Sequence, residues 1–529
     1  MYRLLTASKD TYVTDKYING VRTSGSNVGQ AATLDLFKLY NETFLSLTAS
    51  VSGVIERSRG LIQFDFAPLQ QLTASGKLNT NDSSFKTFLS LKDVYGGQTT
   101  PSNFTLRLIP ISKSWDEGRG SDVIAYRDQD ACNFLTASIS NGAVTLWTSG
   151  GLGASGTLGS PGLDIVTSGN LGSGLVDLTV SQVFSVGNED LLMDVTTLTS
   201  ASMAGLLPNH GWRLSFVDSQ ENDGTTRFVK RFGTRHVQNK ALQPRLIVKY
   251  NNQLLDDTGE LEFNSAQKVF FYNSENGSYA NFVSGSSSIT GPNCALLRLI
   301  ASRSVLFTTS SFSVSHNATI THLTRSLSVI SQSFSASQLV LGGVAQTGIY
   351  TSSLDLNLAS NSTVFAFLSG ASEQQFRYEL LSPDTTQVFA KGHYFFRQTL
   401  AGNSNLRERN WVVNITNLKE VYNQEETARL RIFVEDYQAD TRAYRVVTKT
   451  NSVILRNMKW RLINAFTKKV IVPFDSSATL CSTDGDGMYF DFYMADLDPG
   501  EVYEFELMIT ENGSDYYINN NGFRFKVTK

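Results

Sequence analysis

Arg57-Ser58-Arg59-Gly60-Leu61-Ile62-Gln63-Phe64-Asp65-Phe66 decides how the chain is read. Ile62, Phe64 and Phe66 alternate with Gln63 and Asp65, the two-residue period of a β-strand with one buried face. Leu, Ile and Phe suit a pleated, half-buried surface. Upstream lie Lys9-Asp10-Thr11-Tyr12-Val13, a polar loop with Ser26-Asn27-Val28-Gly29, and an alternating run from Thr33 to Tyr40. Downstream, Pro244-Arg245-Leu246-Ile247-Val248-Lys249-Tyr250 places Leu246, Val248 and Tyr250 on one face. An opening strand near residue 10 and a closing strand near residue 247 meet the requirement of a two-sheet antiparallel jelly roll, whose first and last strands share a sandwich.

The remaining sequence reads as β structure in four blocks. Residues 1–252 are expected to form a jelly-roll β-sandwich, and 253–385 a Ser/Thr-rich β domain. Residues 386–456 and 457–529 are expected to form two small immunoglobulin-like sandwiches. A chain of 529 residues is too long for one core, and about 3–4 domains is the prior. Within the first block, Phe85 to Leu91, Asn103 to Ile111, Val176 to Val180, Trp212 to Val217 and Thr226 to Phe232 read as strands. Asn188 to Leu206 is the expected helix, with Leu191, Leu192, Val195 and Leu198 near helical spacing. The Gly/Ser-rich stretch 149–175 reads as a long loop suited to a subunit contact. In the second block Ser alternates with Phe, Val, Leu or Ile, as in Ser326 to Ser337. Such weakly charged strands are expected to be capped or paired with a neighbouring subunit. In the last third, Trp411 to Ile415, Arg429 to Tyr437, Trp460 to Ile463, Met488 to Met494, Val502 to Ile509 and Phe523 to Val527 are short strands separated by turns. Leu-Thr-Ala-Ser recurs at Leu5, Leu47, Leu72 and Leu135, but its uneven spacing excludes a solenoid.

Composition narrows the function classes. Lys and Arg number 45 against 48 Asp and Glu, with 18% charged residues, so no concentrated basic surface is expected and nucleic acid is not a partner. Arg227 to Arg235, the densest basic stretch, reads as a solvated strand and loop. Cys132, Cys294 and Cys481 are few, odd in number and widely spaced, which predicts buried reduced thiols rather than a disulfide framework. The first ten residues lack the apolar core of a signal peptide, and no run approaches the length of a membrane helix.

Two resemblances follow from the order of motifs. Lys9-Asp-Thr-Tyr-Val, Asn27-Val-Gly, Arg59-Gly-Leu-Ile-Gln-Phe-Asp-Phe, Trp115-Asp-Glu-Gly-Arg-Gly, Trp147-Thr-Ser-Gly-Gly and Pro244-Arg-Leu-Ile-Val-Lys-Tyr together resemble the DNRLRE jelly-roll module. That module is related to carbohydrate-binding sandwiches, and versions occur in structural proteins of tailed bacteriophage particles. The six-letter signature itself is absent, so the resemblance carries over no sugar site. Asn414-Ile-Thr-Asn-Leu-Lys, Arg429-Leu-Arg-Ile-Phe, Val472-Pro-Phe-Asp, Ser482-Thr-Asp-Gly-Asp-Gly-Met-Tyr-Phe-Asp-Phe and Leu497-Asp-Pro-Gly resemble a tandem sandwich of tailed-phage virion proteins. Together they imply a structural virion component of the neck, collar, tail, baseplate or capsid decoration. It would be made in the host cytoplasm and form homo-oligomers and contacts with other virion structural proteins. The alternatives are a glycan-binding adhesin and, behind it, a polysaccharide depolymerase.

The sequence offers little chemistry. His210, His236, His316, His322 and His393 fall in no short metal-ligand motif; only His316 and His322, six apart, could share a strand face. There is no phosphate loop and no G-x-S-x-G elbow. Asp484-Gly-Asp-Gly-Met begins like a calcium loop, but its twelfth position is Ala495, so a tight turn is expected. Trp115 and Trp147, with Tyr126, are the candidate glycan-stacking aromatics, although tryptophans so placed are more often core aromatics near strand ends. No catalytic residue, cofactor or metal is expected.

Overall fold

The structure is a computed structural model that describes residues 1–42, 53–97, 99–123, 131–172, 174–307, 312–316, 325–356, 373–397, 411–436, 452–511, 513–518 and 522–529. It is all-β, with sheets in several separate cores. Two compact units divide the chain, one of residues 2–73 with 80–250, the other of Met1, 74–79 and 251–529.

In the first unit the strands are β1 (Tyr2–Thr14), β2 (Thr33–Glu42), β3 (Gly53–Phe64), β4 (Lys86–Leu91), β5 (Phe104–Pro110), β6 (Thr136–Ser140), β7 (Ala143–Leu146), β8 (Ser155–Thr157), β9 (Ile165–Asn170), β10 (Leu175–Asp177), β11 (Val180–Phe184), β12 (Leu191–Asp194), β13 (Trp212–Phe216), β14 (Arg227–Gly233) and β15 (Arg245–Lys249). The main sheet runs β11-β5-β13-β3-β1-β15-β4-β12, and β2 pairs both β3 and β14. The opening strand changes partners along its length. Tyr2–Thr6 pairs with β15, Tyr2 facing Lys249, whereas Ala7–Thr14 pairs with β3 after a register shift between Ala7 and Lys9. Such a shift re-aims a strand and increases its twist. The two ends of the path meet through one side chain: Gln182 on β11 donates to the Asp190 carbonyl and accepts from the Leu192 N–H of β12. The unit's first and last strands, β1 and β15, are hydrogen-bonded neighbours.

Ile62, Phe64 and Phe66 are buried, as their alternation predicts, while Asp65 is exposed and Gln63 half-buried. Leu61, one residue out of phase, is also buried. It joins Val13, Ile109, Ile111, Trp115, Cys132, Trp147, Leu152 and Ile165 in a second cluster. The excursion between β5 and β11 thus covers the face of the sheet that a simple alternation would leave to water. Two guanidinium groups lie beneath it. Arg59 donates to the Gly151 carbonyl and, bidentately, to Glu221; Arg213 donates to the Leu152 carbonyl at 2.7 Å.

The expected loop 149–175 is interrupted by short strands: β8 pairs β9 in parallel and β9 pairs β10 antiparallel. Its organiser is Asp164, which is fully buried. The carboxylate accepts from the N–H groups of Thr148, Ser149 and Ala154 and from the Lys113 ammonium. Burial opposes ionisation, but these donors outweigh it and hold the carboxyl below its ordinary value. Asp164→Ala is expected to cost about 2 kcal/mol or more, because it strands three backbone donors and one ammonium. A carboxyl with a lowered native value contributes stability that is full above the unfolded value near 3.8 and is lost as pH falls through the native one. Urea unfolding of wild type and variant at pH 7 and pH 3 checks both points, with the gap narrowing at the lower pH.

The helix expected over Asn188 to Leu206 is shorter and later, a single element from Thr196 to Met203. Leu191 and Met193 are buried while Leu192 and Asp194 are exposed. That is a strand period, and β12 takes it by pairing with β4, Leu191 facing Leu91.

The second unit contains β16 (Ala266–Tyr272), β17 (Ala295–Phe307), β18 (Phe312–His316), β19 (Arg325–Leu341), β20 (Val344–Asp355), β21 (Glu373–Leu381), β22 (Val388–Arg397), β23 (Trp411–Ile415), β24 (Val421–Asn423), β25 (Thr427–Asp436), β26 (Met458–Asn464), β27 (Val470–Val472), β28 (Ser482–Asp484), β29 (Gly487–Tyr493), β30 (Val502–Glu511), β31 (Ser514–Ile518) and β32 (Arg524–Thr528). Its first sheet is ordered β22-β21-β17-β19-β20-β16. The Ser-rich β19 lies between β17 and β20: β17 pairs its Arg325–Ala336 stretch and β20 its Ala336–Leu341 stretch, so part of the expected edge pairing is supplied within this chain.

Two expected boundaries fail. The break at 385/386 would cut the β21–β22 hairpin, in which Phe376 faces Tyr394. The break at 456/457 would cut a single sandwich. One of its sheets is β23-β25-β29-β28, with Leu430 facing Phe490; the other is β24-β32-β30-β26-β27, with Val421 facing Lys526 in parallel. Neither half supplies two complete sheets alone, so residues 411–436 and 458–528 share one core. Trp460 is its centre, stacked on Phe490 at 5.0 Å and edge-on to Phe492 and Phe505 at 5.6 and 6.1 Å. Asp484 to Gly487 makes the tight turn between β28 and β29, and the Asp484 carboxylate accepts from Arg431 and from the Asp486 N–H.

Candidate functional site

The motif stretches that are remote in sequence meet in the first unit. Asn27 joins two of them. Its side-chain amide donates to the Glu117 carbonyl at 2.8 Å and the Cys132 carbonyl at 2.6 Å. Its side-chain oxygen accepts from the N–H groups of Gly29 and Gly120. Both donors and both lone pairs of a buried amide are thereby used. The approach is close enough to require glycine: a Cβ on Gly29 would stand 2.0 Å from the Glu117 carbonyl oxygen, and one on Gly120 1.7 Å from that of Asn27.

Behind this junction lies a cluster of ionisable side chains. Asp10 on β1 is fully buried, and its Oδ2 accepts from the Arg235 N–H at 2.6 Å. Glu117 Oε1 accepts from the Asp10 N–H at 2.9 Å and from Arg235 Nε at 2.6 Å, while Oε2 takes a second guanidinium N–H of Arg235. His236 Nε2 stands 3.6 Å from Glu117 Oε1. Burial pushes the Asp10 carboxyl up to about 7, and the Glu117 charge adds to this, against the opposing Arg235 hydrogen bond. The sequence treats these residues as strand, charged turn and solvated basic loop. Only burial, which the sequence does not display, distinguishes Asp10 and Glu117 from ordinary surface acids.

The expected glycan platform does not form. Trp115 is 1% exposed and Trp147 5%. Their indole N–H groups donate to the His210 and Asn133 carbonyls, at 2.8 and 3.0 Å. Their rings pack in the cluster that covers the sheet, so neither can stack on a sugar. Tyr126 and His322 lie outside the described residues. Cys132, Cys294 and Cys481 are all buried free thiols.

No family model and no curated protein matches this chain. Among solved structures, it is similar to the CsuC–CsuE chaperone–tip adhesion subunit pre-assembly complex from archaic chaperone-usher Csu pili of Acinetobacter baumannii. There the identity is 8%, over 51% of this chain and 95% of that one, with a TM-score of 0.12. It is also similar to native E. coli alpha-2-macroglobulin (10% identity, 98% of this chain, 35% of that one, TM-score 0.13) and to Salmonella alpha-2-macroglobulin reacted with methylamine (9%, 98%, 30%, 0.13). Similarity at this level says nothing of function.

A different kind of surface occurs on the C-terminal sandwich. β31 (Ser514–Ile518) pairs only with β30 among the described residues, and Tyr516 and Tyr517 are 55% and 58% exposed. Arg461 lies over the rings of Phe474 and Tyr517, which are 5.8 Å apart. Tyr and Arg on a sheet edge match the composition of protein–protein contact centres. Among the described residues, no helix is long and apolar enough to cross a membrane.

Proposed function

We propose that this protein is a structural subunit of a tailed-phage virion, a neck, collar, tail, baseplate or capsid-decorating component. It works by protein–protein contact with sister copies and other virion proteins and makes or breaks no bond itself. The order of motifs along the chain supports the phage assignment. The observation that carries the contact mechanism is the aromatic edge strand β31 with Arg461 and Phe474 beside it. An edge strand offers backbone donors and acceptors to another chain, and exposed tyrosines supply rigid contact area at low entropic cost. With Trp115 and Trp147 buried, the adhesin alternative loses the tryptophan pair that the sequence offered it. Imaging purified phage particles with a labelled antibody against the chain tests the proposal. The expected result is label at one fixed position on every particle. Purified particles that carry no label would overturn it.

A further inference from the structure

We propose that Asp10, Glu117 and His236 hold one divalent metal ion of the zinc class, which pins three remote segments of the first unit together. One ligand atom from each residue lies within 4.8 Å of the other two. Asp10 Oδ1 and His236 Nε2 are both buried from solvent and have no hydrogen-bond partner among the described residues. Buried polar atoms are nearly always satisfied, and two that converge beside a second carboxylate indicate a missing electrophile. Imidazole nitrogen with two carboxylate oxygens is a donor set that zinc accepts.

The geometry is close to what an ion needs. Ligand atoms bonded to zinc at about 2.1 Å stand roughly 3.4 Å apart in a tetrahedron. His236 Nε2 and Glu117 Oε1 are 3.6 Å apart already. The widest separation, at most 4.8 Å, closes by up to about 1.4 Å through side-chain rotation, and water completes the coordination.

The outer partners are built as well. Arg235 donates its backbone N–H to Asp10 Oδ2 and its guanidinium to Glu117. It thereby fixes both carboxylates and leaves Asp10 Oδ1 open, the work of groups that orient metal ligands. The cluster carries two carboxylates against one guanidinium, so an added cation offsets the remaining negative charge. The inference departs from the sequence expectation of no metal, because the ligands come from positions 10, 117 and 236 and form no short motif.

The test uses the full chain, stripped with a chelator and titrated with Zn2+, Mn2+ or Ca2+. Wild type is expected to bind about one zinc per chain, and its first unit to melt about 5–10 °C higher at a hundredfold excess over Kd. His236→Gln and Asp10→Asn should each abolish the bound zinc and the shift. Ion-free Asp10→Asn should melt no lower than ion-free wild type, which separates loss of a ligand from loss of the fold. Wild type that takes up no ion would overturn the proposal and assign the gap to a bridging water. Equal zinc uptake by wild type and both variants would overturn it by placing the ion elsewhere.

Discussion

Glu221→Ala is expected to destabilise the first unit by about 3–5 kcal/mol. Glu221 is 2% exposed, and its carboxylate takes two hydrogen bonds from Arg59, whose side chain is 6% exposed. Arg213 lies on the same covered face, 1% exposed, with Nε and Nη2 unpartnered among the described residues. Burial and the nearby Arg59 charge push its guanidinium down to about 9, and Glu221 is the anion that opposes this. Removing Glu221 takes from Arg59 its bidentate carboxylate and leaves Asp218 as the remaining anion acting on Arg213. Native stabilities are about 5–15 kcal/mol, so the loss is a large share of the whole. The paired replacement Arg59→Met with Glu221→Leu is expected to recover most of it, because it removes both charges at similar volume. Urea unfolding of the three proteins measures the contrast. Equal losses in the single and the paired variant would show that packing, not charge, holds this layer.

Trp460→Ala is expected to cost a similar 3–5 kcal/mol in the second unit. Trp460 is 1% exposed, and its ring meets Phe490 and Phe492 of one sheet and Phe505 of the other. Its removal opens a cavity between two sheets that must pack against each other to exist at all. The consequence reaches beyond the mutated strand. Because β25 pairs β29 and β24 pairs β32, residues 411–436 and 458–528 are one cooperative core. Amide hydrogen exchange should therefore accelerate in both segments together. Acceleration confined to 458–528 would mean that the two segments are separate domains after all.

The same pairings show which parts of the fold were legible in the sequence. Alternation at Ile62, Phe64 and Phe66, and at Leu246 and Val248, gives strands with one buried face, and these residues are buried. The all-β class follows from many such runs. Domain limits within the last third were not legible, since a strand pattern names no partner: Leu430 and Phe490 look alike whether they face each other or belong to different sheets. Leu191 and Leu192 satisfy helical and strand periods equally over a short window, and the edge offered by β4 decided for strand. The tryptophans left two readings open for a related reason. A Trp beside a glycine-rich turn can face a ligand or the underside of a covering layer, and here the excursion over Leu61 and Ile109 takes both. At the polar cluster the motifs drew notice to Asp10, Asn27 and Glu117. Their convergence depends on register shifts and on the close approach at Gly29 and Gly120, which only coordinates reveal.

The β-blocks are held by buried aromatic and ionic contacts, and the proposed function makes β31 their adhesive margin. Light scattering of the purified full chain tests that picture most directly, alone and with Tyr516→Lys and Tyr517→Lys combined. Two lysines on this edge leave the core intact and charge the margin against pairing. Wild type is expected to form a discrete oligomer that the double variant reduces in size. A single-chain mass at every soluble concentration, or an oligomer unchanged by the two lysines, would contradict it.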